Sequence, residues 1–187
     1  TADKVLSKNI STMCFEGPED SLKQTINTQP SIVTMSIAAM EALKSELDIT
    51  PSYTAGHSLG EYCAMYTSGV MSLENTLKAI QKRADLMSAT KGGSMAAVLN
   101  ASEEQLKAGL EEGSKVGYVD VANYNSPAQV VITGAEDAVK AASDYMVANG
   151  VRRVVPLAVS GAFHSKFMEN AGKEFAEFVS NLDLNNA

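Results

Sequence analysis

The chain has 187 residues, 45% of them hydrophobic, and a formal net charge of −7 at pH 7, enough apolar material for a sizeable core in one domain or in one domain with a small satellite. That charge, with no dense Lys/Arg cluster, excludes a general nucleic-acid binder. No apolar run approaches the roughly 20 residues of a membrane-spanning helix, no signal peptide is expected, and Cys14 and Cys63 lack the C-x-x-C spacing of a zinc framework.

In chain order, the two cysteines are expected to be reduced, buried thiols in a cytoplasmic protein. Asn27-Thr28-Gln29-Pro30 predicts a helix start with Pro30 in the first turn, and Ile37, Met40, Leu43 and Leu47 recur as its core face. Beyond Pro51, Tyr53 to Gly56 reads as a short strand and 58–68 as a helix closed by Gly69. Ser72 caps a further helix with the apolar stripe Leu73, Leu77, Ile80, Ala84 and Met87, leaving Lys78, Lys82 and Arg83 near its edges. Gly92-Gly93 ends it and marks a boundary.

From Ser94 to Ser160 the pattern becomes strand, helix, strand, strand, helix, strand. SMAAVLN is the first strand, and Ser102-Glu103-Glu104-Gln105 is a capping box that opens a helix running to about Glu112. YVDVANYN and QVVITG flank the turn Asn125-Ser126-Pro127. Glu136 to Asn149 is a helix ended by Gly150, and VRRVVPLAV is the last strand. This is the ferredoxin-like order, inserted into a larger α/β unit. Phe167, Ala171, Phe175, Phe178 and Leu182 give a final helix one apolar side.

Gly56-His57-Ser58-Leu59-Gly60 fits G-x-S-x-G between a predicted strand and a predicted helix. A sharp turn there leaves little room for a Cβ at either glycine. The Leu59 N–H and the positive helix end can then hold a developing oxyanion. Ser58 reads as a nucleophile, with a tight structural turn as the alternative.

A serine nucleophile needs a base, and the histidines are His57 and His164. His57 adjoins Ser58, so the turn points it elsewhere, towards packing or polar support. His164, in VSGAFHSKF, is expected where a strand ends and a helix starts, at the same carboxyl edge of a parallel sheet as Ser58. It is the candidate base, against a helix cap or surface group. Arg83 is either a solvated side chain or a bidentate clamp on a substrate carboxylate.

Together, CFEGPEDSLKQTINTQPSIVTMSIAAMEAL, AGHSLGEYCA, QKRADLM, NYNSPAQVVITG and VSGAFHS closely resemble the malonyl-CoA:acyl carrier protein transacylases in order and spacing, over almost the whole chain. They also resemble the acyltransferase domains of polyketide and fatty acid synthases. The resemblance implies an α/β-hydrolase-like core, 1–92 and 161–187, carrying a ferredoxin-like subdomain, 93–160. It implies Ser58 as the acylated serine, His164 as its base, the Leu59 N–H as an oxyanion donor and Arg83 as the partner of the free malonyl carboxylate. Met87 and Gln129 match pocket-lining positions, Asn125 matches the nearby asparagine, and Phe163 in GAFH is the form that goes with malonyl over methylmalonyl units.

The implied reaction moves malonyl from malonyl-CoA to the phosphopantetheine thiol of acyl carrier protein through a malonyl-serine, in fatty acid biosynthesis. The coenzyme A thioester and the carrier are the expected partners of a cytoplasmic monomer with no bound cofactor or metal, no nucleic acid and no membrane. The family's Gly-Gln-Gly-Ser-Gln loop, source of a second oxyanion N–H, and its terminal histidine-orienting glutamine are not found between Thr1 and Ala187. Loss of one oxyanion donor costs about 100- to 1000-fold, so this stretch in isolation is expected to be weak or inactive and its parent active.

Two rival readings stand beside this one. A serine hydrolase or thioesterase would need Asp137 or Asp144 beside His164. A non-catalytic docking module would use Lys115, Arg152, Arg153 and Lys166 to steer an acidic carrier, against their reading as solvated surface.

Overall fold

The structure, a computed structural model, describes residues 1–186. Its elements in chain order are α1 (Ala2–Leu6), α2 (Ile10–Glu16), α3 (Glu19–Leu22), α4 (Thr25–Glu46), α5 (Gly60–Thr67), α6 (Leu73–Ala89), β1 (Ser94–Leu99), α7 (Glu103–Ser114), β2 (Val119–Ser126), β3 (Gln129–Gly134), α8 (Glu136–Ala148), β4 (Arg153–Pro156), a 3₁₀ turn (Lys166–Met168) and α9 (Glu169–Val179). They form an α/β chain of two compact units. One comprises residues 1–88 with the segment from Glu174 onward, and the other is Ala89–Lys173.

The first unit is helical. Its core gathers Val33 and Ile37 of α4, Tyr62 of α5, and Ala79 and Ile80 of α6, with Phe175, Phe178 and Leu182 packed against them. The Ser72 hydroxyl accepts from the Asn75 N–H at 3.1 Å, so α6 is capped where its sequence predicts. Leu77, Ile80 and Ala84 of its stripe are buried.

Two expectations are corrected in this unit. α4 starts at Thr25, a turn earlier than predicted, and encloses Pro30 rather than starting with it. Its first turn is held from outside the helix, the Asn27 side-chain amide donating to the Ser21 carbonyl at 3.0 Å. The buried face of α4 is Gln29, Pro30, Ser31, Val33 and Ile37, whereas Leu43 and Leu47 are 44% and 50% exposed. The helix carries apolar residues on several sides, Ile32 and Met35 among the exposed ones, so spacing alone could not choose the covered face. Tyr53 to Gly56 is not a strand. A strand exists through the partner it bonds, and this segment has none among the described residues; the Thr54 hydroxyl donates instead to the Ala64 carbonyl at 3.1 Å.

The second unit holds one antiparallel sheet in the order β2-β3-β1-β4. Ala96 and Val98 of β1, Val119 of β2 and Ile132 of β3 point to one face, as the two-residue period of a strand requires. There they meet Leu106 of α7 and Val139, Ala142 and Met146 of α8. The capping box is complete: the Gln105 N–H donates to the Ser102 hydroxyl at 3.2 Å, and the Ser102 N–H donates to the Gln105 side-chain carbonyl at 2.9 Å. β4 is shorter than VRRVVPLAV, because its ladder with β1 runs only from Arg153 to Pro156. Among the described residues, no helix is long and apolar enough to cross a membrane.

Candidate active site

The elbow is strained where it presents its serine. Ser58 has φ +50, a left-handed conformation that a residue with a Cβ adopts at a cost of order 1 kcal/mol or more. The turn is closed by the Gly60 N–H donating to the His57 carbonyl at 2.9 Å, followed by Glu61 to Ser58 and Tyr62 to Leu59, both at 3.3 Å. The Leu59 N–H stands just ahead of α5, where the helix end is positive.

Gly56 passes against this first helical turn. A Cβ there would lie 1.9 Å from the Gly60 carbonyl carbon and 2.3 Å from the Glu61 nitrogen. The expectation that both glycines are sterically required is half corrected, because nothing lies within 4 Å of where a Gly60 Cβ would stand. The chain crosses itself on one side of the turn only.

Arg83 reaches the elbow from α6. Its Nη2 donates to the Ser58 Oγ at 2.8 Å and its Nη1 to the Gln29 Oε1 at 2.6 Å. Its guanidinium carbon lies 5.8 Å from the centre of the Tyr62 ring, a cation–π distance. Burial pushes the Arg83 pKa down, opposed by the charges of Tyr62 and Glu61. Burial also pushes the Tyr62 phenol up to about 12. Among the described residues no carboxylate comes within ion-pair distance of Arg83. A half-buried cation bonded only to neutral groups remains able to take an anion, since guanidinium has five N–H donors.

Gln29 is the residue that sequence reasoning missed. It is 5% exposed, accepts from Arg83, and donates its Nε2 to the Met87 Sδ at 3.3 Å. Met87 stands one turn beyond Arg83 on α6, so one glutamine ties the two together. The only sequence signal was a polar residue beside Pro30, which also reads as an ordinary helix start.

The other predicted site residues belong to the second unit. His164 is exposed, with φ +55, in a turn before the 3₁₀ segment. It does not end a strand, because β4 stops at Pro156. Phe163 is buried and its carbonyl accepts from the Thr133 hydroxyl at 2.9 Å. Asn125 lies at a register shift beside the end of the β2-β3 hairpin, where Ser126 pairs with Gln129, and its amide donates to the Gln129 Oε1 at 3.1 Å.

Residues 2–187 match the acyl transferase domain family. The chain belongs to that family. It is 39% identical to the malonyl CoA-acyl carrier protein transacylase of Bacillus subtilis over 190 residues, covering 100% of this chain and 60% of that protein. Among solved structures, it resembles an acyl-carrier-protein S-malonyltransferase from Burkholderia pseudomallei with TM-score 0.94 and 34% identity, over 98% of this chain and 61% of that one. A malonyl-transacylase in complex with a type II polyketide acyl carrier protein matches with TM-score 0.92 and 32% identity, over 98% and 60% of the respective chains. This acyl transferase domain thus spans about three fifths of the length of these relatives.

Of the groups that the rival readings rely on, some have partners and others stand on the surface. Asp144 pairs with Lys140 at 2.6 Å on the exposed side of α8, and Asp137 lies in that helix's first turn. Lys115 pairs with Glu112, and the Lys166 ammonium sits 4.8 Å from the centre of the Tyr118 ring. Arg152 and Arg153 are exposed at the start of β4. Cys14 and Cys63 are free thiols and only half-buried; burial raises the Cys63 pKa.

Proposed function

We propose that the protein transfers a malonyl group from malonyl-CoA to the phosphopantetheine thiol of acyl carrier protein through a malonyl ester of Ser58. The observation that carries this reading is the Arg83 guanidinium 2.8 Å from the Ser58 hydroxyl, hydrogen-bonded among the described residues to the neutral groups of Ser58 and Gln29. Hydrolysis of an uncharged ester does not require a cation beside the nucleophile. An acyl chain ending in a carboxylate does, and a planar guanidinium binds carboxylate through two parallel bonds. The names of the relatives, and the carrier complex of one, favour the same substrate pair.

In this mechanism His164 takes the Ser58 proton as the serine oxygen attacks the thioester carbonyl. The Leu59 N–H, at the positive end of α5, stabilises the oxyanion. Coenzyme A leaves as the thiol, with the proton returned by His164, and the carrier thiol reverses the sequence. Arg83 holds the malonyl carboxylate throughout, while Met87 and Gln129 match the family's pocket-lining positions, Asn125 its nearby asparagine and Phe163 the form that goes with malonyl units. No bound cofactor is needed, since the acyl donors of the two steps, a thioester and then a serine ester, are already activated towards a hydroxyl or thiol nucleophile.

The fold reading that goes with this function is an α/β-hydrolase-like core, 1–92 and 161–187, with a ferredoxin-like subdomain, 93–160. The sheet order β2-β3-β1-β4 supports the second part. A cytoplasmic monomer fits a reaction between a water-soluble thioester and the thiol of a water-soluble carrier. Arg152, Arg153, Lys166 and Lys115 are the cations available to an acidic carrier.

Mass spectrometry of the full-length protein after mixing with malonyl-CoA tests the proposal. A malonyl adduct on Ser58 that persists until holo-carrier is added is the expected result. Rapid release of free malonate without carrier would assign a hydrolase instead, and an unchanged activity in Ser58→Ala would leave only a docking role.

A further inference from the structure

The turn that carries His164 is seated on one end of the antiparallel sheet. Gly134, which ends β3, is paired with Ser94, which begins β1, and with Val119, which begins β2. Against this end the Ala162 N–H donates to the Gly92 carbonyl at 3.3 Å. Gly93 admits the turn by lacking a side chain: a Cβ there would lie 2.5 Å from both the Ala162 Cβ and the Gly134 oxygen.

Two side chains of the sheet end bracket His164 in sequence. Thr133 is fully buried, and its hydroxyl donates to the carbonyl of Phe163, the peptide immediately before His164. Tyr118, just ahead of β2, meets the segment immediately after it. Its ring takes the Lys166 ammonium at 4.8 Å and the Phe167 ring at 6.2 Å between centres. Between these fastenings His164 holds φ +55, a conformation that persists only where the surroundings over-determine it. Ser165 adds a local bond, its hydroxyl accepting from the Phe167 N–H at 3.2 Å.

We propose that Thr133 and Tyr118 are positioning residues for His164, Thr133 fixing the carbonyl before it and Tyr118 the turn after it. The proposal rests on the reading of His164 as the base. A base must come within hydrogen-bond reach of the proton that it removes, and misplacement by about 1 Å costs up to about 100-fold in rate. A β-branched threonine in a strand has a stiff χ1, so its hydroxyl aims at one carbonyl. The aromatic face of Tyr118 holds two consecutive residues at once, which prevents the turn from unwinding towards α9.

The test uses the full-length protein with Thr133→Val, Thr133→Ser, Tyr118→Leu and His164→Ala, measuring malonyl transfer to holo-carrier and thermal melting. Thr133→Val is expected to lower kcat about 10-fold with the KM for malonyl-CoA within about 2-fold, and Thr133→Ser to restore kcat to within about 2-fold of the parent. Tyr118→Leu is expected to lower kcat several-fold, again without moving KM. If His164→Ala is inactive while folded Thr133→Val and Tyr118→Leu keep the parental kcat, the proposal is overturned; a loss that Thr133→Ser does not restore also overturns it. Should Thr133→Val fail to fold, Tyr118→Leu decides by the same criterion. Full activity in His164→Ala would instead overturn the base reading, and the proposal with it.

Discussion

The Arg83 guanidinium donates to the Ser58 hydroxyl across 2.8 Å, although 25 residues of chain separate them. Gln29, brought in by a third helix, accepts a second N–H of the same group at 2.6 Å. The proposed nucleophile and the proposed partner of the malonyl carboxylate therefore meet inside one packing unit.

Arg83→Ala is expected to lower kcat/KM for malonyl transfer about 100-fold or more. Charge-assisted hydrogen bonds are worth about 1.5–3 kcal/mol each, and a carboxylate would accept two. Use of acetyl-CoA, which has no free carboxylate, should be unchanged or improved. Arg83→Lys should recover only part of the malonyl activity, because an ammonium lacks the planar fork. Equal losses with both thioesters would mean that Arg83 only supports the elbow.

Gln29→Leu removes the acceptor that orients Arg83 while keeping a similar volume in a buried place. A rise of about 10-fold in the KM for malonyl-CoA is expected, the equivalent of one hydrogen bond to a charged group. Steady-state kinetics with malonyl-CoA and acetyl-CoA in parallel will read this, and acetyl-CoA should respond much less.

The two glycines of the elbow should behave oppositely. Gly56→Ala forces a Cβ to within 1.9 Å of the Gly60 backbone, so the turn must open, at a cost of about 3 kcal/mol or more by analogy with overpacked cores, and serine acylation should collapse. Gly60→Ala meets nothing within 4 Å. At the first position of α5 it should leave stability unchanged or raise it by up to about 1 kcal/mol. Denaturant melts of the two variants give the comparison directly.

Tyr62 carries a pH signature. Burial raises its phenol to about 12 in the folded state, above the ordinary value near 10. Between these values the unfolded chain loses its proton first, so this contribution to stability is fully present below about pH 10 and is lost as pH rises towards 12. Denaturation of the parent and of Tyr62→Phe at pH 9 and at pH 11.5 isolates it: the parent should lose more stability over that interval than the variant. Equal slopes would place the phenol in contact with water.

Much of the second unit was legible because its signals are local. The turn predicted at Asn125-Ser126-Pro127 falls at Pro127-Ala128 because β2 extends through Ser126, whereas the Ser102 capping box is decided within a few residues of chain and lies where it is predicted. The same holds for Ser72 and for the G-x-S-x-G turn, whose hydrogen bonds span three residues. α4 failed for the opposite reason. With apolar side chains on several faces, its buried side is chosen by what packs on it, and Gln29 falls on that side only in three dimensions.

By itself the sequence determined the elbow, the two histidines, the arginine and the alternation of strands and helices, since these follow from residue identity, caps and short-range periodicity. Only the tertiary structure decided which of them meet. Arg83 is half-buried beside Ser58 rather than solvated on the edge of α6, Gln29 is its acceptor, and Gly56 rather than Gly60 is the glycine that cannot bear a side chain. Contacts between residues far apart along the chain depend on how helices pack, and packing leaves no period in the sequence from which a partner could be read.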